Sequence, residues 1–149
     1  MRYYGYGTCR TIEKTSCKTK GGLFMSESIF YRCSKCGNVV ALFKRGGGTL
    51  ACCGQDMDNL VANSTDAAQE KHVPVVTRDG DTLTVKVGAV PHPMLEEHYI
   101  EWIAIVTGGQ VVIKYLKPGD APEKTFSISC KSGTAYAYCN LHGLWKADF

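Results

Sequence analysis

Apolar and polar residues alternate along most of the second half of the chain, and this period of two is typical of half-buried β-strands. The alternating runs are LTVKV at 83–87, YIEWIAIV at 99–106, QVVIKYL at 110–116, TFSISC at 125–130 and TAYAYC at 134–139. We expect the second and third runs to pair across TGG, and the fourth and fifth to pair across KSG. With no convincing helical period, the pattern predicts an antiparallel β-sandwich of about seven strands.

A smaller unit precedes the sandwich. Two short strand-like runs, IFYRC at 29–33 and NVVALF at 38–43, are followed by a GGG turn at 46–48. A piece of this size buries too little surface to fold unaided, so it needs a staple, typically a metal ion. A polar link, VANSTDAAQ at 61–69, leads out of it towards the sandwich.

Residues 1–24 show no steady period and are rich in glycine, threonine and lysine. We expect them to form a disordered extension that the functional protein does not need. Cys9 and Cys17 lie in this stretch with seven residues between them and no evident partner pair. We interpret them as unassigned thiols.

Composition narrows the function classes. A hydrophobic share of 44% and a charged share of 21% indicate a globular protein. The apolar runs fall far short of the ~20 residues that cross a bilayer, and the N-terminus lacks the apolar segment of a secretion signal, so we expect a cytoplasmic protein without membrane contact.

The net charge is +3, but residues 1–24 contain five basic residues and one glutamate, so the remainder carries −1. Because the basic residues do not cluster on the folded part, nucleic-acid binding is not expected.

Four of the eight cysteines have the spacing of a metal site. Cys33 and Cys36 form a C-x2-C pair, and Cys52 and Cys53 follow after fifteen intervening residues. In a reducing compartment, such pairs bind metals more often than they form disulfides. Four thiolates favour a tetrahedral zinc or iron site. Adjacent cysteines can share one ion only if the backbone bends between them, and the spacing leaves open a purely structural zinc knuckle.

A second candidate centre involves all the histidines of the chain: His72, His92, His98 and His142. Each lies at a strand end or in a loop, where a sandwich can gather side chains at one rim. Prolines flank the second histidine and stiffen its loop. Cys139 lies three residues before the last histidine, close enough to reach the same ion. Any one of these residues alone is more often ordinary, but the five together favour iron, since zinc is usually four-coordinate.

With these residues identified, the sequence resembles the desulfoferrodoxins, the two-domain superoxide reductases, from about residue 28 to residue 149. The matching segments occur in the family's order: CSKCGNVV, CCGQDM, EKHVP, VPHPM, HYIEWI and CNLHGLWK. The resemblance implies an all-β protein, in which a small desulforedoxin-like metal domain at 28–62 precedes an immunoglobulin-like antiparallel β-sandwich at 68–149. Residues 1–27 would form an N-terminal extension, and residues 1–24 have no counterpart in the family pattern.

The resemblance also implies two iron ions per chain. The first would be bound by the four cysteines and act as an electron relay or a structural site. The second would be bound by the four histidines in a plane, with Cys139 on the axis. In its ferrous state it would give one electron to superoxide, which leaves as hydrogen peroxide after taking up two protons.

Further residues and partners follow from the same resemblance. Lys71 would attract superoxide and help to protonate it, and Glu70 would occupy the sixth coordination position in the oxidised state. Rubredoxin or a similar small carrier would supply electrons, and the protein would form a homodimer. Judged by sequence alone, a Glu-Lys pair in a polar linker is usually only solvated. Strand alternation would also direct Lys71 and His72 to opposite faces, so a different local geometry is required there.

Two other functions remain open on the residues alone. The protein could be a non-enzymatic zinc-binding structural module, or a rubredoxin-like electron carrier that uses only the four-cysteine site. Cys130 and Trp102 continue alternating apolar faces, the latter with Ile100 and Ala104, and are predicted to be core residues. Trp145 follows the second metal motif and either packs in the core or shields the thiolate.

Overall fold

The computed structural model describes residues 29–108 and 110–149. The extension predicted at 1–27, with Cys9 and Cys17, lies outside the described residues.

The first unit contains five short strands: β1 (Phe30–Arg32), β2 (Val39–Ala41), β3 (Ala51–Cys52), β4 (Gln55–Asp56) and β5 (Asp58–Asn59). They form a three-stranded sheet in the order β2-β1-β5 and a β3-β4 hairpin.

The helix α1 (Gln69–His72) precedes the seven strands of the sandwich. These are β6 (Pro74–Asp79), β7 (Thr82–Val87), β8 (Ile100–Val106), β9 (Val111–Tyr115), β10 (Glu123–Ser127), β11 (Thr134–Cys139) and β12 (Gly143–Asp148). One sheet has the order β10-β7-β6 and the other the order β12-β11-β8-β9, and all neighbouring strands are antiparallel. The all-β sandwich predicted from the alternation is therefore confirmed. Within the described residues no helix has the length and apolar character needed to span a membrane.

The core lies between the two sheets. Strand β7 alternates strictly, with Leu83, Val85 and Val87 fully buried, as expected for a strand with one face on the core. Phe126 of β10 joins them, and Cys130 is buried in the same cluster, as the alternation predicted. The end of the four-stranded sheet that carries Cys139 is thus fixed by close packing of apolar side chains.

The outer face of the four-stranded sheet is covered by the small unit. Phe30 is 1% exposed, and its ring lies 5.0 Å from Trp102 and 5.2 Å from Tyr136, centroid to centroid. Trp102 in turn stacks on Tyr138 at 5.2 Å. Consequently all six residues of β11 are buried, because the strand has apolar cover on both faces. The small unit and the sandwich share this second apolar cluster.

Two expectations about the strands are wrong. The runs at 125–130 and 134–139 do not pair, because β10 ends at Ser127 and pairs with β7, whereas β11 pairs with β8 and β12. The KSG segment connects the two sheets instead of closing a hairpin. Trp102 also does not share a face with Ile100, since the β8-β11 register shifts between Tyr138 and Cys139. That irregularity directs Ile100 into the inner core and leaves Trp102 under the small unit.

Candidate metal centres

The four cysteine sulfurs of the small unit form a compact cluster. Sγ of Cys36 lies 3.6 Å from Sγ of Cys52, which lies 3.9 Å from Sγ of Cys53, and all four sulfurs, including that of Cys33, are within 4.8 Å of one another. A tetrahedron with metal–sulfur bonds of about 2.3 Å has edges of about 3.8 Å. The cluster therefore has the size of a tetrahedral four-thiolate site.

Local backbone geometry explains how adjacent cysteines share this cluster. Strands β3 and β4 are joined by a two-residue turn in which Cys53 has φ 53° and Gly54 has φ 75°. Positive φ at both central residues is the type I′ geometry, which turns the chain sharply just after Cys52. On the other side, the Gly37 N–H donates to the Cys33 carbonyl at 2.9 Å and closes the C-x2-C loop. The bend that the sequence requires between the two cysteines is present.

The sulfurs influence one another strongly. A hydrogen bond from the Cys36 backbone is the main reason why the pKa of Cys33 falls to about 7. The pKa of Cys53 rises to about 12, chiefly because its thiol hydrogen-bonds to the Cys36 sulfur. Crowded sulfurs resist holding several negative charges without a cation. A bound metal cation removes this conflict, so the donor set fits such an ion.

The second centre brings together the five predicted ligands. The ligand atoms of the four histidines and Cys139 all lie within 4.8 Å of one another. Going round the ring from His72 to His92, His98, His142 and back, successive imidazole centroids are 4.7, 4.6, 4.8 and 4.7 Å apart. Neighbouring rings are nearly perpendicular, with interplanar angles of 77° to 84°. The four rings therefore stand around a square.

The size of that square suits a metal ion. The opposite rings of His72 and His98 are 6.1 Å apart, so each centroid is about 3 Å from the middle. A metal–nitrogen bond of about 2.0–2.1 Å leaves about 1 Å from the ring nitrogen to the ring centroid, which is the dimension of an imidazole. Nε2 of His72 and Nδ1 of His142 are 2.9 Å apart, as neighbouring ligands of one ion would be.

Hydrogen bonds on the far side of two rings select the coordinating nitrogen. Nδ1 of His72 contacts the Ala68 carbonyl at 2.7 Å, and Nδ1 of His92 contacts the Pro93 carbonyl. A ring nitrogen that faces a carbonyl must carry the proton, so Nε2 of each ring presents its lone pair. Nε2 of His92 and of His98 are buried without a hydrogen-bond partner. An ion in the square would satisfy both atoms, and this fit does not depend on any sequence resemblance.

Burial keeps the ligands in a form that suits metal binding. His72 and His92 are 2% and 3% exposed, and Cys139 is fully buried. Desolvation lowers the pKa of His92 to about 4 and is also the main cause of the lowered pKa values of His72 and His98, so the rings stay neutral. Burial raises the pKa of Cys139, while backbone hydrogen bonds from His142 and Leu141 oppose that rise. The thiolate thus needs a cation beside it.

The turn of helix α1 resolves the local problem at Lys71 and His72. The helix lets His72 point inwards, 2% exposed, while Glu70 and Lys71 remain exposed beside it. The charge of Lys71 lowers the pKa of both His72 and His98, whereas Glu70 raises that of His72, so both charges act on the square. Gly88 packs against this helix: a Cβ there would lie 2.6 Å from the Lys71 carbonyl oxygen. That close contact fixes the position of Lys71 relative to the loop before His92.

Two contacts that support the site were not identified from the sequence. Trp145 is fully buried, as the core-packing alternative predicted, and stacks on His72 with ring centroids 4.8 Å apart, so it supports an imidazole. Asn140, between Cys139 and His142, hydrogen-bonds to the loop that carries His98. For Trp145 the only signal was its place after the metal motif. For Asn140 no pattern in the sequence points to its partners.

The fold and donor sets define a class of protein: a β-sandwich metalloprotein with one four-cysteine group and one group of four histidines and a cysteine. Comparison with known proteins agrees with this class. The desulfoferrodoxin family profile matches residues 64–148, and the profile of the desulfoferrodoxin N-terminal domain matches residues 26–60. The chain belongs to the desulfoferrodoxin family.

Individual relatives cover most of the chain. It is 50% identical over 117 residues to a desulfoferrodoxin homolog of Archaeoglobus fulgidus, and the aligned region covers 78% of this chain and 94% of the relative. It is 49% identical over 118 residues to a desulfoferrodoxin of Nitratidesulfovibrio vulgaris, with 79% and 94% covered. Among solved structures, the superoxide reductase from Treponema pallidum superposes with a TM-score of 0.66 at 35% identity, over 82% of this chain and 98% of that one.

Proposed function

We propose that this protein is a superoxide reductase with two iron ions per chain, one at each centre. The single observation that carries the proposal is the square of four imidazoles with the buried Cys139 thiol beside it. Five protein donors are one fewer than a six-coordinate ion accepts, which leaves room for one small exogenous ligand. Zinc rarely takes five such donors, whereas imidazole with thiolate suits iron.

When bound, iron supplies the one electron that, together with two protons, converts superoxide to hydrogen peroxide. The protein's contribution is to hold the donors. Neutral imidazoles leave the centre with net positive charge, which favours an anionic substrate. The Cys139 thiolate is a strong electron donor that favours protonation and release of the product. Backbone hydrogen bonds from Leu141 and His142 to its sulfur moderate that donation.

Lys71 and Glu70 are proposed to act at the entrance of this centre. Lys71 attracts superoxide and carries a proton that it can share with the reduced product. Its exposure and its electrostatic effect on opposite rings of the square, His72 and His98, support this role. Glu70 is a carboxylate on the same helical turn, adjacent to Lys71, and is proposed to take the open position in the oxidised state.

The remaining parts of the proposal concern electron supply and assembly. The four-cysteine centre acts as a relay or as a structural site, with Cys36 and Cys53 exposed where a donor could approach. Rubredoxin or a similar small iron-sulfur carrier is the proposed donor. We also propose a cytoplasmic homodimer; the thiolate-rich centres fit a reducing compartment. A carrier that used only the four-cysteine site would leave the five-donor centre without a purpose.

Replacement of Lys71 tests the substrate-attracting role. Lys71→Ala should lower the second-order rate of reaction with superoxide by about tenfold or more at low salt, and flatten its dependence on ionic strength, because focusing of an anion raises on-rates by ~10–10³. The rate is measured by pulse radiolysis over a series of salt concentrations. Lys131→Ala is a matched control, since Lys131 is exposed and precedes β11 at the end opposite Cys139. An unchanged rate and salt slope in Lys71→Ala would remove Lys71 from the mechanism.

A further inference from the structure

A single side-chain amide joins two segments of the second metal centre. Asn140 lies in the turn between Cys139 and His142. Its Oδ1 accepts a hydrogen bond from the Tyr99 N–H at 3.0 Å, and its Nδ2 donates to the Glu97 carbonyl at 3.0 Å. Its backbone N–H also donates to the Tyr99 carbonyl at 3.2 Å.

The two backbone partners of this amide flank His98. We propose that Asn140 is a positioning residue that holds the His98 imidazole in the square, in a fixed place relative to the Cys139–His142 turn. This inference rests on the metal centre described above and names the residue that couples the Cys139–His142 turn to the loop that carries His98.

His98 depends on this clamp more than the other ligands do. His72 and His92 are almost fully buried, and each has its Nδ1 fixed by a carbonyl. His98 is only half-buried, and in the part of the chain that the structure describes its ring makes no hydrogen bond. Its orientation is therefore set by the backbone around it, which is held by two hydrogen bonds between His98 and Leu95 and, on either side of His98, by Asn140.

The fold explains why an amide is needed at this position. The register of β8 and β11 shifts between Tyr138 and Cys139, so the regular ladder of hydrogen bonds ends there. Beyond this irregularity, Asn140 replaces the ladder by pairing with Tyr99 through its backbone and its side chain. The site needs a donor and an acceptor on one short side chain, and asparagine provides both. Aspartate has nearly the same shape but would face the Glu97 carbonyl with an oxygen.

Loss of the clamp should act on metal binding. Without the side-chain amide, the Glu97 carbonyl and the Tyr99 N–H lose their partner, while the Asn140–Tyr99 backbone hydrogen bond and the two backbone hydrogen bonds between His98 and Leu95 remain. The backbone on both sides of His98 is then held less firmly, and the imidazole is less well placed in the square. Outer hydrogen-bond partners of metal ligands typically contribute about 10–100-fold to metal affinity. The second centre should therefore bind its metal ion less tightly, and the bound ion should have a lower average coordination number.

Titration of the metal-free protein with Co²⁺, followed by visible absorption, tests the proposal without measuring activity. In Asn140→Ala and Asn140→Asp, affinity at the second centre should fall about 10–100-fold, and its ligand-field bands should intensify towards those of His98→Ala, because coordination number falls. The four-cysteine group on the same chain serves as an internal reference and should bind Co²⁺ as in the wild type.

Asn63 offers a matched control because its amide makes the same two-pronged contact elsewhere. Its Oδ1 accepts from the Lys146 N–H at 2.8 Å, and its Nδ2 donates to the Lys146 carbonyl at 3.2 Å. Asn63→Ala should leave the affinity and spectrum of the second centre unchanged.

Wild-type affinity and spectrum in both Asn140 variants would overturn the proposal, as would an equal loss in Asn63→Ala. Failure of both Asn140 variants to fold would also overturn it, since Asn140 would then be needed for folding and not specifically for positioning His98. A wild-type chain that binds one Co²⁺ only would overturn the metal centre and the proposal together.

Discussion

The two metal centres of this protein are built in opposite ways. The four-cysteine centre draws its ligands from a short stretch, 33–53, and two of its cysteines are exposed. The second centre draws its ligands from 72–142, and His72, His92 and Cys139 are buried at the end of a packed sandwich. The first is a local structure that a metal must hold together, and the second is a pocket that the sandwich forms. Their responses to perturbation should therefore differ.

Removal of the first metal gives the largest expected difference. Cys52→Ser with Cys53→Ser should empty the four-cysteine centre and unfold its hairpin, since structural metal binding contributes about 10–16 kcal/mol in small zinc domains. Hydrogen exchange should show lost protection in 33–59, with β7, β8 and β11 still protected. Superoxide reduction, measured by pulse radiolysis, should remain largely intact. Abolished activity in a correctly folded sandwich would mean that the two centres are not independent.

Loosening the contact between the two units should have an intermediate effect. Phe30→Ala removes the buried ring that packs on Trp102 and Tyr136, and such core truncations cost about 3–5 kcal/mol. Chemical denaturation should show this loss of unfolding free energy, or an earlier separate transition of the small unit. Phe43→Ala is the control, because Phe43 is 65% exposed and should cost less than about 0.5 kcal/mol. Equal effects of the two substitutions would contradict the described interface.

The smallest expected effect is a pH dependence at the same interface. Burial is the main cause of the raised pKa of Tyr136, and the charge of Asp148 adds to it. The folded state therefore keeps this proton where the unfolded state releases it. The stabilisation is complete below pH 10 and is lost as pH rises through the folded-state pKa. Tyr136→Phe should reduce the alkaline loss of stability, measured by denaturation between about pH 9 and 11. Identical pH profiles for the two proteins would exclude Tyr136 as a contributor.

The sequence predicted the sandwich because its strands have one regular inner face. It correctly placed Trp102 in the core but failed where the β8-β11 register shifts beside that residue, and where a change of sheet looked like a hairpin, as after Cys130. Strand β12 was missed because its residues follow a metal motif and lack clean alternation. Both ligand groups were found because cysteine and histidine are rare and their spacing is informative. The role of Asn140 and the stacking of Trp145 on His72 were not found, since both depend on partners distant in the chain.

The central claim is that the five-donor centre reduces superoxide, and product stoichiometry tests it most directly. Protein purified without oxygen is analysed for iron, reduced, and mixed with a known amount of superoxide. The account predicts two irons per chain, one hydrogen peroxide formed for each superoxide consumed, and one electron lost from the protein each time. Absence of reaction, zinc in place of iron, or one hydrogen peroxide per two superoxide with release of dioxygen would contradict it.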